Sequence, residues 1–134
     1  MRQPPPAATL FVMDRTWIVI GALLAAAAVA AGAFGAHGLK ERLSADDFDT
    51  YQTAARYHMF HALGLLFVGY AAQRFGGGLV TATGWLFVAG IIAFSGALYL
   101  LALSGVKVLG VVAPIGGAAF IAGWICLAVA AWRA

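Results

Sequence analysis

Charge is what this chain of 134 residues has least of. Asp, Glu, Lys and Arg together make up 10% of it, against about 25% in ordinary soluble domains. That scarcity excludes a solvated globular surface. Cysteine is almost missing: Cys126 is the single one. An internal disulfide is therefore impossible, and paired-cysteine metal or redox motifs are excluded. Proline is confined to Pro4, Pro5, Pro6 and Pro114, so the apolar runs between are unbroken. Alternating apolar and polar stretches of about ten residues are lacking, which excludes a membrane β-barrel. There is no nucleotide motif, no spaced set of metal ligands and no nucleophile–base constellation. The net charge is +3 and the isoelectric point 9.4. The basic residues stand singly beside apolar runs, as helix-end anchors do, and form no basic face for nucleic acid.

What is present is hydrocarbon. Apolar residues make up 63% of the chain, and its mean hydropathy is +0.93. The pattern predicts an all-α membrane protein, an antiparallel four-transmembrane-helix bundle. Residues 1–14 read as a flexible Pro-rich tail and residues 15–134 as one domain. The helices are expected at about 17–36, 44–74, 79–104 and 110–132. Each is long enough, or nearly so, to cross a hydrocarbon core of roughly 30 Å. The first run carries Ala31-Gly32-Ala33, which resembles a signal-cleavage site, but it is longer than a signal's apolar region. Ser44 predicts an N-cap with Asp47 as its partner three residues on. Gly76-Gly77-Gly78 and Ser104-Gly105 end the second and third helices. Pro114 places the well-formed start of the fourth close to itself. Ala28, Gly32 and Ala36, and likewise Ala119 and Gly123, lie four apart and predict close helix approach.

The polar chemistry is concentrated between the first two spans. His37, His58 and His61 are all of the histidines, and Glu41, Asp46, Asp47 and Asp49 are four of the 5 acids. Polar groups near hydrocarbon are costly and tend to be paired or functional. Alternating helix direction puts the end of helix one, the start of two, the end of three and the start of four at one face. The candidate polar cluster is accordingly His37, Gln52, Arg56, Tyr57, His61 and Tyr99, with His37 and His61 expected to approach each other. Each has a plainer role too: tyrosines as interfacial aromatics, Arg56 as a headgroup anchor, histidines as hydrogen-bonded structural residues. His58 and His61, three apart, would suit metal, and His37 with His61 haem, but nothing else supports either. No catalytic, metal or cofactor-binding residue is assigned.

Four ordered motifs carry a resemblance: AGAFGAHGL, QTAARYHMFHAL, FSGALYLLAL and APIGGAAFIAGW. Together they are similar to the uncharacterised family of small four-helix inner-membrane proteins typified by YgdD, with TMEM-type relatives. The likeness runs from about Thr16 to Trp132. Its shared positions fall on Gly35, His37, Gln52, Tyr57, His61, Ser95, Gly96, Tyr99, Pro114, Gly116 and Gly117. His58 stands where relatives often carry glutamine, which the resemblance implies is the less functional histidine. It implies no catalytic residues and no cofactor.

The expected function is that of an integral, multi-pass protein of the bacterial inner membrane: a non-enzymatic accessory or structural component, its polar cluster a lock between helices. The alternative is a small oligomeric transporter or proton-linked channel using His37, Arg56 and His61. Expected partners are membrane lipids and either a membrane-protein partner or further copies of the chain. The basic residues are tied at four on each side, so they leave the orientation open.

Overall fold

A computed structural model describes the backbone of residues 7–134 and the side chains of residues 15–134. Four rods form an all-helical antiparallel bundle. The first is α1, Ala7–Phe34, continued by a π-turn at Gly35–Leu39. The second is α2, Ala45–Arg74. The third comprises α3 (Gly78–Gly90), a π-segment (Ile91–Gly96) and α4 (Ala97–Ser104). The fourth is α5, Leu109–Arg133.

The boundaries correct the sequence reading in two places. The first helix starts at Ala7, ahead of the expected Trp17, so the expected tail is helical from Ala7 onward. Residues 7–16 hold no glycine or proline to stop a helix, and prolines suit the chain just ahead of a first turn. Met1–Pro6, the rest of that tail, lies outside the described residues. The fourth helix, Leu109–Arg133, keeps the expected bounds of about 110–132 within a residue, but Pro114 lies inside it, five residues past its first residue, and does not mark its start. Its first turn is tightened by bonds three residues back: Leu109 N–H to Val106 O, Gly110 N–H to Lys107 O, and Val111 N–H to Val108 O. Pro114 lies inside the helix beyond this tightened turn, and having no N–H it leaves the Gly110 carbonyl without its usual helical donor.

The remaining ends follow local chemistry. Ser44 Oγ accepts the Asp47 N–H at 3.1 Å and donates to the Asp47 carboxylate at 2.9 Å. Gly105, at φ 70°, closes α4 with its N–H on the Leu101 carbonyl. Asp46 and Asp47 occupy the first turn of α2, the positive end of its dipole.

The core is built from all four rods: Trp17, Leu65, Val68, Val80, Phe87, Ile91 and Phe120 are buried together. Glycines set the helix spacing. A methyl group on Gly21 would lie 2.8 Å from the Ala62 carbonyl, and one on Gly123 would lie 2.6 Å from Phe87. On Gly116 it would strike the Phe94 backbone. Small residues let helices approach this closely. The expected helix-one stripe plays a smaller part. Ala28 is buried, but an added methyl on Gly32 meets nothing within 4 Å.

Residues Arg15–Leu39, Gly78–Ser104 and Leu109–Arg133 are long and apolar enough to cross a membrane. α2 is less apolar because of its polar first half, yet it lies antiparallel along α1. Tyr51 bonds Ala31 near one end of the pair, and Ala62 and Leu65 meet Gly21 further down. α2 therefore spans the same thickness as its neighbour.

Candidate functional site

Two buried polar centres sit inside the bundle. The first is built on His61 of α2. Trp124 of α5 donates its indole N–H to His61 Nε2 at 3.0 Å. An indole can only donate, so Nε2 carries no hydrogen. The proton is then on Nδ1, which donates to the Tyr57 carbonyl at 2.7 Å. Both ring nitrogens are committed. Around them aromatic rings close in. Phe120 stacks on the imidazole at 3.4 Å between centroids and 8° between planes. Phe87 stands edge-on at 5.2 Å, and Phe94 packs on Tyr57 at 4.9 Å. Tyr57, His61, Phe94, Phe120 and Trp124 border a groove of about 720 Å³ between α2, the π-segment and α5, with Pro114 and Gly117 at its wall.

The second centre joins α1, α2 and α4. Tyr51 donates its hydroxyl to the Ala31 carbonyl at 2.7 Å. The rings of Tyr51 and Tyr99 pack at 5.1 Å. The Tyr99 hydroxyl pairs with His58 Nδ1 at 3.1 Å. His58 Nε2 is buried with no hydrogen-bond partner, as is Ser95 Oγ in the π-segment.

The expected cluster thus divides. Tyr57 and His61 belong to the first centre and Tyr99 to the second. Gln52 and Arg56 border a small notch beside Gly32 and Gly35. His37 is exposed in the π-turn, grouped with Lys40, Glu41 and Arg42. No hydrogen bond or ring contact among the described residues joins His37 to His61, whose neighbours all come from α2, α3, the π-segment and α5. His37 stands exposed in the π-turn, while His61 lies several turns down α2. No group of three or more His, Cys, Asp or Glu side chains that could hold a metal ion occurs among the described residues.

Three participants escaped the sequence reading. His58, set aside there, is buried at 7% exposure and bonded to Tyr99. Trp124, at the end of the motif AFIAGW, supplies the bond that fixes His61. Thr83 reaches across to α5: its hydroxyl lies 2.9 Å from the Leu79 carbonyl and 3.2 Å from that of Gly123. An indole N–H facing an apolar interior favours an acceptor, but nothing in the sequence singles out His61 as the acceptor for Trp124.

The family model described as a protein of unknown function, DUF423, matches residues 31–117, which include Tyr57, His58, His61 and Tyr99 but end before Phe120 and Trp124. The chain belongs to the DUF423 family. A UPF0382 membrane protein, YwdK, from Bacillus subtilis (strain 168) is 46% identical over 118 residues, covering 87% of this chain and 96% of its own. The UPF0382 membrane protein SSP2132 of Staphylococcus saprophyticus is 43% identical, with 89% and 98% covered. SAB0533 of Staphylococcus aureus (strain bovine RF122 / ET3-1), likewise a UPF0382 membrane protein, is 45% identical, with 89% and 97% covered. No solved structure matches. With these relatives and three helices able to cross a bilayer, this member of the family is a multi-pass bacterial membrane protein of unassigned activity.

Proposed function

We propose that this DUF423 protein is a non-enzymatic structural or accessory component of the inner membrane, working alongside a membrane-protein partner or further copies of itself. The observation that carries the reading is the state of His61. Its two nitrogens are consumed by Trp124 and the Tyr57 carbonyl, and its face is covered by Phe120. A histidine held this way ties α2 to α5 and is poorly placed to shuttle protons. The transport alternative needs His37, Arg56 and His61 to line one path, and these three stand in separate surroundings. The order of motifs shared with the YgdD-typified proteins extends the same reading to them.

The test is purification of the tagged chain from native membranes in mild detergent. A stoichiometric protein partner or a defined homo-oligomer is the expected result. A monomer that co-purifies with no protein and turns over a substrate would overturn the reading.

A further inference from the structure

Arg56 makes no hydrogen bond or ion pair within the described residues. Its side chain is exposed on the surface of the bundle, so the depth at which it stands decides the cost. Tyr51 marks the level at which α2 crosses Ala31 of α1 and Gly35 of the π-turn. Arg56 lies five residues further along α2, about 7.5 Å deeper toward the bundle's middle. A guanidinium at that depth needs a partner or a route to the headgroups. Asp49, the carboxylate two turns away on its own helix, does not pair with it.

Beside Arg56 is a notch of about 230 Å³ between α1 and α2. One wall is made of Gly32 of α1 with Gly35 and Ala36 of the π-turn, and its α2 wall includes Gln52, Ala55 and Arg56. The back is rigid, because Tyr51 is buried, bonded to Ala31 and packed on Tyr99. Gln52 and Arg56 are one helical turn apart and share a face. The opening is kept by Gly32, where an added methyl meets no atom within 4 Å.

We propose that this notch binds the phosphate of a membrane phospholipid. Arg56 supplies the planar, always-charged fork that matches a phosphate's oxygens, and Gln52 adds an amide donor above it. The acyl chains run down the exposed surfaces of α1 and α2. The anion that Arg56 lacks among the described residues comes from the bilayer.

The full-length protein in detergent would be tested by native mass spectrometry with added phosphatidylglycerol, diacylglycerol or inorganic phosphate. Wild type should hold one phosphatidylglycerol adduct and no diacylglycerol. Arg56→Gln should weaken the adduct by about tenfold, the size expected for one charge-assisted contact, and Arg56→Lys by less. Gly32→Leu fills the notch without touching the core and should also remove the adduct, so the test survives if Arg56→Gln does not fold. Equal retention by wild type and a folded Arg56→Gln or Gly32→Leu variant would overturn the site. Diacylglycerol binding as well as phosphatidylglycerol would overturn the phosphate chemistry. Displacement of the lipid by millimolar inorganic phosphate would assign the notch to a soluble anion and overturn the lipid source.

Discussion

His61 illustrates how a single side chain is defined by what surrounds it. An indole donor on one side and a carbonyl acceptor on the other leave one tautomer, the neutral ring with its proton on Nδ1. Interhelical hydrogen bonds in membrane proteins are worth about 0.6 kcal/mol on average and rarely above about 1.7, so the stacked Phe120 ring carries much of the contact. His61→Ala should therefore cost about 2–3 kcal/mol through the combined loss of bond and packing, read as a lower unfolding temperature in detergent. Trp124→Phe keeps most of the ring and should cost about 1 kcal/mol. Because the two share one bond, the double variant should lose less than the sum; strict additivity would count against the pairing. His37 is exposed, and His37→Ala should stay within about 0.5 kcal/mol of wild type. A loss as large as that of His61→Ala would show that the π-turn matters more than its contacts suggest.

At the scale of elements, the bundle depends on where backbones touch. Gly116 on α5 lies against the Phe94 backbone of the π-segment, and a methyl group there would strike it. Gly32 on α1 faces open space. The same substitution should thus have opposite outcomes. Gly116→Ala should destabilise by about 2 kcal/mol or more through overpacking. Gly32→Ala should be neutral or stabilising by up to about 1 kcal/mol, since alanine is the better helix former. Thermal unfolding of the two variants side by side decides it, and equal losses would mean the helix spacing is not set at Gly116. The sequence could not separate these glycines. Four helices, the Ser44 cap and the stops at Gly76 and Gly105 were all legible, because they depend on composition and local hydrogen bonds. The π-segments were not, since a shift from four-residue to five-residue bonding leaves no periodic mark in a run as uniformly apolar as IIAFSGALYL. The division of the candidate cluster was hidden for the same reason. Depth along a helix can be counted from sequence, but which face points at which neighbour depends on those shifts in register.

The whole molecule poses one topological question, whether α2 crosses the membrane as its three more apolar neighbours do. Its own composition argues weakly, because its first half carries Asp46, Asp47, Asp49, Gln52 and Arg56. Its contacts argue strongly. Tyr51 is fixed to Ala31, Gly64 is covered by Phe87, and the Phe75–Gly78 turn lies beside Ala130 and Arg133 at the end of α5. Those contacts run from one end of the bundle to the other, so α2 cannot stay on one side while α1 and α5 cross. Four crossings put Arg15 and Ala134 on the same side of the membrane, with Lys40 and Lys107 opposite. The check is site-directed thiol labelling in a Cys126→Ser background, with single cysteines placed by Arg15→Cys, Lys40→Cys, Lys107→Cys and Ala134→Cys. An impermeant reagent applied to intact cells should label Lys40→Cys and Lys107→Cys as one set and Arg15→Cys and Ala134→Cys as the other. The even split of basic residues leaves the direction of insertion to be read from the same gel. Arg56, lodged within the helix and removed from that count, tilts it toward termini on the cytoplasmic side, in which case the Lys40 and Lys107 loops are the ones labelled from outside. Finding Arg15→Cys and Ala134→Cys labelled from opposite sides would mean that α2 does not cross, and would require the Tyr51 and Gly64 contacts to be broken in the bilayer.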